Sequence, residues 1–294
     1  MKPYYLSDNA DFNGFNDKIR EAAISFREQG FFIIDLGDDV SFADKIIQDC
    51  EKKYDAVAYE GSGSSRIQDA FSFSQNVEQL ALNATILDYL TKIFGRTPIP
   101  FQTLNFNKGS EQATHSDTIH FNTYPYGFMC GVWVALENID EKNGPLHYYP
   151  GSHKLPVFGM DQFGVHGSDS KDTYELYNTY ETGVETLINE LGLKKEIVNM
   201  KKGQCFVWSS NLLHGGEPII DTTRTRHSQV THYFFENCLY YTPLLSSPYK
   251  GEFFIRRPID ISTGQPISKA LQRKYASSAG IDISKIRKKR WGFL

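Results

Sequence analysis

From Pro98 onward the chain is cut into short apolar or aromatic runs, and this texture limits the folds open to it. The runs are IPFQTLNF, ATHSDTIHF, FMCGVWVAL, GPLHYYP, KEIVNM, GQCFVWSS and SQVTHYFFENCLYY, broken by Gly, Pro and Asn. Many short strands at fairly regular spacing indicate a β-sandwich or barrel. One helix-like run, ETGVETLINELGL over 181–193, interrupts them, and the polar segment 160–181 before it reads as a mobile lid. Ahead of Pro98 the period changes. Residues 16–30 space Ile19, Ala22, Ala23 and Phe26 on one helical face before a Gly stop, and FFIIDLG follows as a strand. Residues 41–57, capped by Ser41, and 76–95, ending at Gly95, read as two more helices. The predicted fold class is mainly β with flanking helices in one domain. A helical N-terminal layer over 1–97 packs on a β core over 98–240, followed by a 241–294 extension with a basic tail, SKIRKKRWGFL.

With 21 Phe and 17 Tyr the chain has ample apolar surface for a core. Its net charge of −4 gives no electrostatic case for nucleic acid or a membrane surface. The four cysteines, Cys50, Cys130, Cys205 and Cys238, are far apart and form no CxxC pair, which argues against zinc-ribbon and thioredoxin-type sites and for a reducing compartment. The first residues, MKPYYLSDNADFNGF, carry acids where a signal peptide needs an apolar run, and no stretch approaches the length of a membrane span. A cytoplasmic protein is expected, acting on a small molecule; oligomeric state is not legible.

Within THSDTIHF, His115 and Asp117 are two apart, so on a strand both side chains would point to one side and converge on one metal ion. WSSNLLHGG supplies His214, after an apolar strand and before a glycine pair that allows close backbone approach. Two His and one carboxylate are the ligand set that holds non-haem Fe(II) with positions left open. Zinc hydrolases use the same residue types, so the triad does not fix the reaction. The stretch RTRHSQVTHYFFENCLYY narrows the choice. An oxygenase using 2-oxoglutarate must hold the co-substrate's distal carboxylate deep in the barrel, and a guanidinium does this with a two-pronged contact. An arginine buried without such a partner is costly. Arg226 is twelve residues after His214, on a face that Arg224, Ser228 and Val230 share by alternation, and Ser228 could add a hydrogen bond to the same carboxylate.

Together QATHSDTIHF, FMCGVWVALENIDEKNGPLHYYPGSHK, GQCFVWSSNLLHGGEP and RTRHSQVTHYFFEN resemble the phytanoyl-CoA dioxygenase family of Fe(II)/2-oxoglutarate oxygenases, NGPL…PGSHK being the most specific piece. The resemblance covers roughly residues 98–240 and implies a double-stranded β-helix (jelly-roll, cupin-like) core. It implies Fe(II), 2-oxoglutarate and O2 as cofactor and co-substrates. His115, Asp117 and His214 match the iron ligands, and Arg226 matches the 2-oxoglutarate arginine better than Arg224, because the R-x5-H-Y/F run begins there. Halogenating relatives replace the carboxylate ligand; with Asp117 present, hydroxylation of an unactivated C–H bond is favoured, releasing succinate and CO2. The family takes a second co-substrate contact from the neighbourhood of Gln102, Asn105 and Thr114.

Other residues have less specific signals. His120 would point away from Asp117 on a regular strand, and His153 of the PGSH turn reads as a loop hydrogen-bonder. Trp133 and Trp208 read as core, and Asn143-Gly144 as a hairpin turn. Arg66, Gln68 and Asp69 are candidate substrate contacts, and Tyr124, Tyr126, Tyr148 and Tyr149 suggest a hydroxyl-lined pocket suited to a sugar or amine. Two other readings account for part of these features: a metal-dependent hydrolase or isomerase on a cupin-like barrel, and a non-catalytic binding protein of the same fold. The hydrolase leaves Arg226 and PGSHK without a role.

Overall fold

The computed structural model describes residues 2–59, 66–166 and 172–278. In chain order the elements are α1 (Asp17–Gln29), β1 (Phe31–Asp35), α2 (Ser41–Tyr59), β2 (Arg66–Gln68), α3 (Gln75–Ala81), α4 (Ala84–Phe94), β3 (Pro98–Phe106), β4 (Asn122–Tyr124), β5 (Met129–Ala135) and β6 (Leu146–Tyr148). There follow α5 (Thr173–Leu191), β7 (Glu196–Val198), β8 (Gln204–Ser209), β9 (His214–Gly216), β10 (Ser228–Phe235), β11 (Leu239–Tyr241), β12 (Ile259–Asp260), β13 (Gln265–Pro266) and α6 (Lys269–Ser278).

A six-stranded antiparallel sheet, ordered β1-β8-β5-β10-β3-β2, forms the centre. Its strands alternate, as the period of two requires. Val132, Val134, Cys205 and Val207 point to the helical side and pack with Phe26, Leu90 and Phe94 of α1 and α4. Trp133, Ala135, Phe206, Trp208 and Val230 point the other way, onto Leu146, Tyr148 and Val198 of a smaller sheet, β7-β6-β9. The architecture is thus helices, large sheet, small sheet, with one apolar cluster in each gap. Truncating either buried tryptophan to Ala would cost about 3–5 kcal/mol. All four cysteines are free and buried.

The helix ends explain several departures from the expected elements. Residues 76–95 form two helices. The Asn83 side-chain oxygen Oδ1 accepts hydrogen bonds from the amides of Thr85 and Ile86 and so starts α4 anew. The Asp39 carboxylate, rather than the Ser41 hydroxyl, accepts from the first amide of α2. The helix expected at 181–193 begins at Thr173, where Asp172 caps Tyr174 and Glu175, and it buries Leu176, Tyr180 and Val184. Much of the expected polar lid is therefore helix, polar on its outer side, while residues 167–171 lie outside the described residues. So does the basic run 285–290. Among the described residues no helix is long and apolar enough to cross a membrane.

Candidate metal and anion site

The segment expected to carry His115 and Asp117 on one strand is not a strand. His115 and His214 form an isolated antiparallel bridge, each amide donating to the other's carbonyl at 2.9 Å. Asp117 opens a 3-10 turn, Asp117–Ile119. The bridge sets the two imidazoles side by side, 4.6 Å between ring centres, and the turn swings the carboxylate in beneath them. Nε2 of His115 and of His214 lie 3.8 and 3.9 Å from Asp117 Oδ1. One ligand atom from each of the three residues lies within 4.8 Å of the others.

Backbone carbonyls fix both imidazoles. His115 Nδ1 lies 2.9 Å from the Ala113 oxygen and His214 Nδ1 2.9 Å from that of Leu212, so each Nδ1 carries the proton and Nε2 turns its lone pair to the shared centre. Burial pushes the His115 imidazole down to about 3, the neighbouring His214 adding to the effect. Burial alone would raise Asp117, but the imidazoles of His232, His214 and His115 around it hold its carboxyl well below the usual carboxylate range. At neutral pH His115 is therefore neutral and Asp117 charged, the state in which they bind a cation.

Asp117 is itself held. The Trp208 indole Nε1 donates to Oδ2 at 2.8 Å, and His232 Nε2 stands 3.6 Å from the same oxygen, so Oδ1 is left facing the imidazoles. His232 Nδ1 is 3.0 Å from Gln102 Oε1. The seat for Trp208 depends on its cross-strand partner Gly131, where a Cβ would fall 2.2 Å from the indole ring. Gly215 and Gly216 allow the close approach expected of them, since a Cβ on either would meet residues 110–112 at 2.8 Å.

The triad opens onto a cavity of about 630 Å³. Arg226 lines it, 1% exposed, just ahead of β10. Its Nη2 donates to the Lys108 carbonyl at 3.3 Å, and its guanidinium lies 5.4 Å from the Phe106 and Trp133 rings. Its Nε and Nη1 have no partner among the described residues, and neither has the fully buried Ser228 hydroxyl. Burial pushes Arg226 down to about 10, against the charge of Glu137. Glu137 does not pair with it, but accepts from the Thr225 hydroxyl and the His227 amide. Arg224 lies on the exterior, bonded to both oxygens of Asp140 at 2.8 and 2.9 Å. Two His and one carboxylate with fixed lone pairs suit a divalent metal ion, and buried donors without partners suit the carboxylate of a bound organic acid.

Gln102 lines the cavity, whereas Asn105, three residues on, faces the helical layer and donates to Gln229 at 3.2 Å. Thr114 hydrogen-bonds His147 Nε2 at 2.7 Å and is not among the lining residues. Arg66 and Gln68 line the cavity, while Asp69 turns back to accept from the Thr103 amide at 3.2 Å. His120 lines it too, because the 3-10 turn removes the strand alternation expected there. His153 bonds the Arg27 carbonyl at 3.1 Å, as a loop residue does. None of the four expected pocket tyrosines lines the cavity. Tyr124 and Tyr126 are exposed, Tyr148 donates to Glu196, and Tyr149 packs with α5. Tyr174 and Tyr177 of α5 line it instead. The sequence reading missed His232, whose place two and four residues past Val230 and Ser228 on one strand face was a usable signal, and Arg256, for which no local pattern exists.

The model of the family described as phytanoyl-CoA dioxygenase (PhyH) matches residues 6–228. A Caenorhabditis elegans relative, phytanoyl-CoA dioxygenase domain-containing protein 1 homolog, is 23% identical over 166 residues, 53% of this chain and 53% of the relative. The chain thus spans about half the length of that curated relative. Among solved structures, EctD from S. alaskensis with 2-oxoglutarate and 5-hydroxyectoine superposes with a TM-score of 0.61 at 17% identity, covering 92% of this chain and 93% of that one. The non-heme alpha ketoglutarate dependent carbocyclase SnoK from nogalamycin biosynthesis gives 0.60 at 15%, covering 88% and 95%. At such identities the likeness speaks to the fold.

Proposed function

The chain belongs to the phytanoyl-CoA dioxygenase family, and from that premise we propose that it is an Fe(II)- and 2-oxoglutarate-dependent dioxygenase. On this reading it hydroxylates an unactivated C–H bond of a small polar molecule and releases succinate and CO2, working as one oxygenase domain whose two facing sheets form a double-stranded β-helix. The observation that carries the reading is the coexistence, in one cavity, of the His115–Asp117–His214 cluster and a buried Arg226 guanidinium with no acidic partner among the described residues. A hydrolase site accounts for the first and leaves a buried charge uncompensated, which is costly.

His115, Asp117 and His214 would hold the iron, and Arg226 with Ser228 would take a carboxylate of 2-oxoglutarate. When bound, the pair supplies oxidative decarboxylation with O2 and transfer of one oxygen atom to a C–H bond. The chain's own work is placement. Leu212 and Ala113 keep the imidazole lone pairs aimed, Trp208 occupies the second Asp117 oxygen, and the Phe106 and Trp133 rings enclose the guanidinium so that water does not compete for it. Gln102, tied to His232, is the neighbour through which a further co-substrate contact would run; Asn105 and Thr114 point elsewhere.

Protein reconstituted anaerobically with Fe(II) and then given O2 should convert 2-oxoglutarate to succinate. His115→Ala or Asp117→Ala should abolish this. Turnover supported equally by Zn(II), with no succinate, would instead favour a hydrolase.

A further inference from the structure

We propose that the substrate of this site carries an oxyanion group, a phosphate or a carboxylate, bound between Arg66 of β2 and Arg256 of the segment after β11; the inference deepens the oxygenase reading and rests on it.

The cavity lining holds four arginines, Arg66, Arg226, Arg256 and Arg257, and a single carboxylate, that of Asp117, among the described residues. Charge accounting separates them. Asp117 and the keto-acid end of 2-oxoglutarate would balance a divalent ion, and the distal carboxylate would balance Arg226. The other three cations are left over. Arg66 makes no hydrogen bond and no ion pair among the described residues, and its strand position opposite Phe106 turns it, like Gln68, into the cavity. Arg256 is anchored rather than neutralised. Its amide donates to the Tyr240 carbonyl at 2.8 Å, its Nη1 to the Thr242 hydroxyl at 3.1 Å, and its guanidinium lies 4.6 Å over the Phe121 ring. Arg257 spends Nε on the Ile267 carbonyl at 3.2 Å. The nearest acid to this group, Asp69, is absent from the lining and accepts from the Thr103 amide and Gln68. Burial pulls both Arg66 and Arg256 down, in Arg256 against the charge of Asp69, which lies behind the cavity wall.

Anchored guanidinium groups facing a cavity whose one lining carboxylate among the described residues, Asp117, belongs to the metal cluster form an anion bed, and two of them suit the oxygens of a phosphate or carboxylate. Positive walls also concentrate an anionic substrate before it binds. The alternatives are poorly served. A cationic amine would meet three arginines, and a neutral sugar would leave their buried charges uncompensated.

The test is calorimetric titration of the anaerobic protein, loaded with Fe(II) and 2-oxoglutarate so that Arg226 is occupied, with three probes of one shape: phenyl phosphate, benzoate and phenol. At least one anion should bind about tenfold or more tightly than phenol, and added salt should weaken the anion alone. The stronger of the two anions identifies the group. Arg66→Gln and Arg256→Gln should each lower anion affinity about tenfold while leaving phenol unchanged. Arg66→Gln is the safer variant, since the side chain it replaces has no hydrogen-bond partner among the described residues to lose. Anions that bind no better than phenol, or variants that bind them as the parent does, would overturn the proposal. Failure of the oxygenase reading shows separately, as a parent chain that makes no succinate.

Discussion

Replacing Arg226 with Met should make the ligand-free protein more stable, not less. The guanidinium is 1% exposed and keeps one long hydrogen bond, at 3.3 Å, with Nε and Nη1 unpaired. Taking an ion out of water costs several kcal/mol even after relaxation. Against this stand two ring faces, each at 5.4 Å, together about 1–2 kcal/mol, and one weak bond of about 1 kcal/mol. Methionine fills similar space without a charge and suits an irregular, aromatic-lined gap. The balance favours Arg226→Met by about 1–3 kcal/mol, or roughly 2–10 °C in Tm. Adding 2-oxoglutarate anaerobically with Fe(II) should then reverse the gap. The parent gains about 2.7 kcal/mol at a hundredfold excess over Kd, and the variant gains almost nothing. Differential scanning calorimetry with and without 2-oxoglutarate reads both halves. A variant less stable than the parent in the absence of ligand would mean that Arg226 is a structural residue already satisfied within the chain. Equal gains in the two proteins would mean that the co-substrate binds elsewhere.

Trp208→Phe removes the indole donor to Asp117 together with part of the buried ring and should weaken Fe(II) affinity about 10–100-fold in a metal-competition assay, with near-native circular dichroism. Gly131→Ala forces a Cβ to 2.2 Å from that indole; it should cost about 1–3 kcal/mol in urea unfolding and also reduce iron affinity, whereas an effect on stability alone would argue against the seat described for Trp208. Burial, joined by the positive charge of Arg256, pushes His120 down to about 4. Its proton therefore favours the unfolded chain, so stability is full above about pH 6.5 and falls as pH drops toward 4, by about 1.4 kcal/mol per unit from this group. His120→Gln should flatten that slope in apo protein followed by urea midpoints, and an unchanged slope would show that the imidazole is solvated.

The sequence made the chemistry more legible than the geometry. The separation of His115 from Asp117 is consistent with a strand and with a tight turn, and only the bridge to His214 decides which forms. Gln102 and Asn105 differ by an odd number of residues, so one must face away from the cavity, yet register against β10 sets which. The split at Asn83 was readable as a cap signal inside an apolar pattern. The helical start of α5 was hidden because its outer face is polar and only Leu176, Tyr180 and Val184 are buried. The tyrosines near Pro125 and Pro150 misled for a related reason: aromatic residues crowd both the core and the surface of this chain, and composition does not say which line a cavity. Arg256 was out of reach, because it shares a cavity with Arg66 only through closure of chain segments 190 residues apart.

The most direct measurement is an anaerobic Fe(II) titration in the presence of 2-oxoglutarate, followed by the visible charge-transfer absorption of the keto acid on iron. The parent chain should saturate at one iron per chain, Asp117→Ala and His214→Ala should develop no band, and Arg226→Met should need far more 2-oxoglutarate to reach it. A band of equal strength in the ligand variants, or none in the parent, would contradict the account.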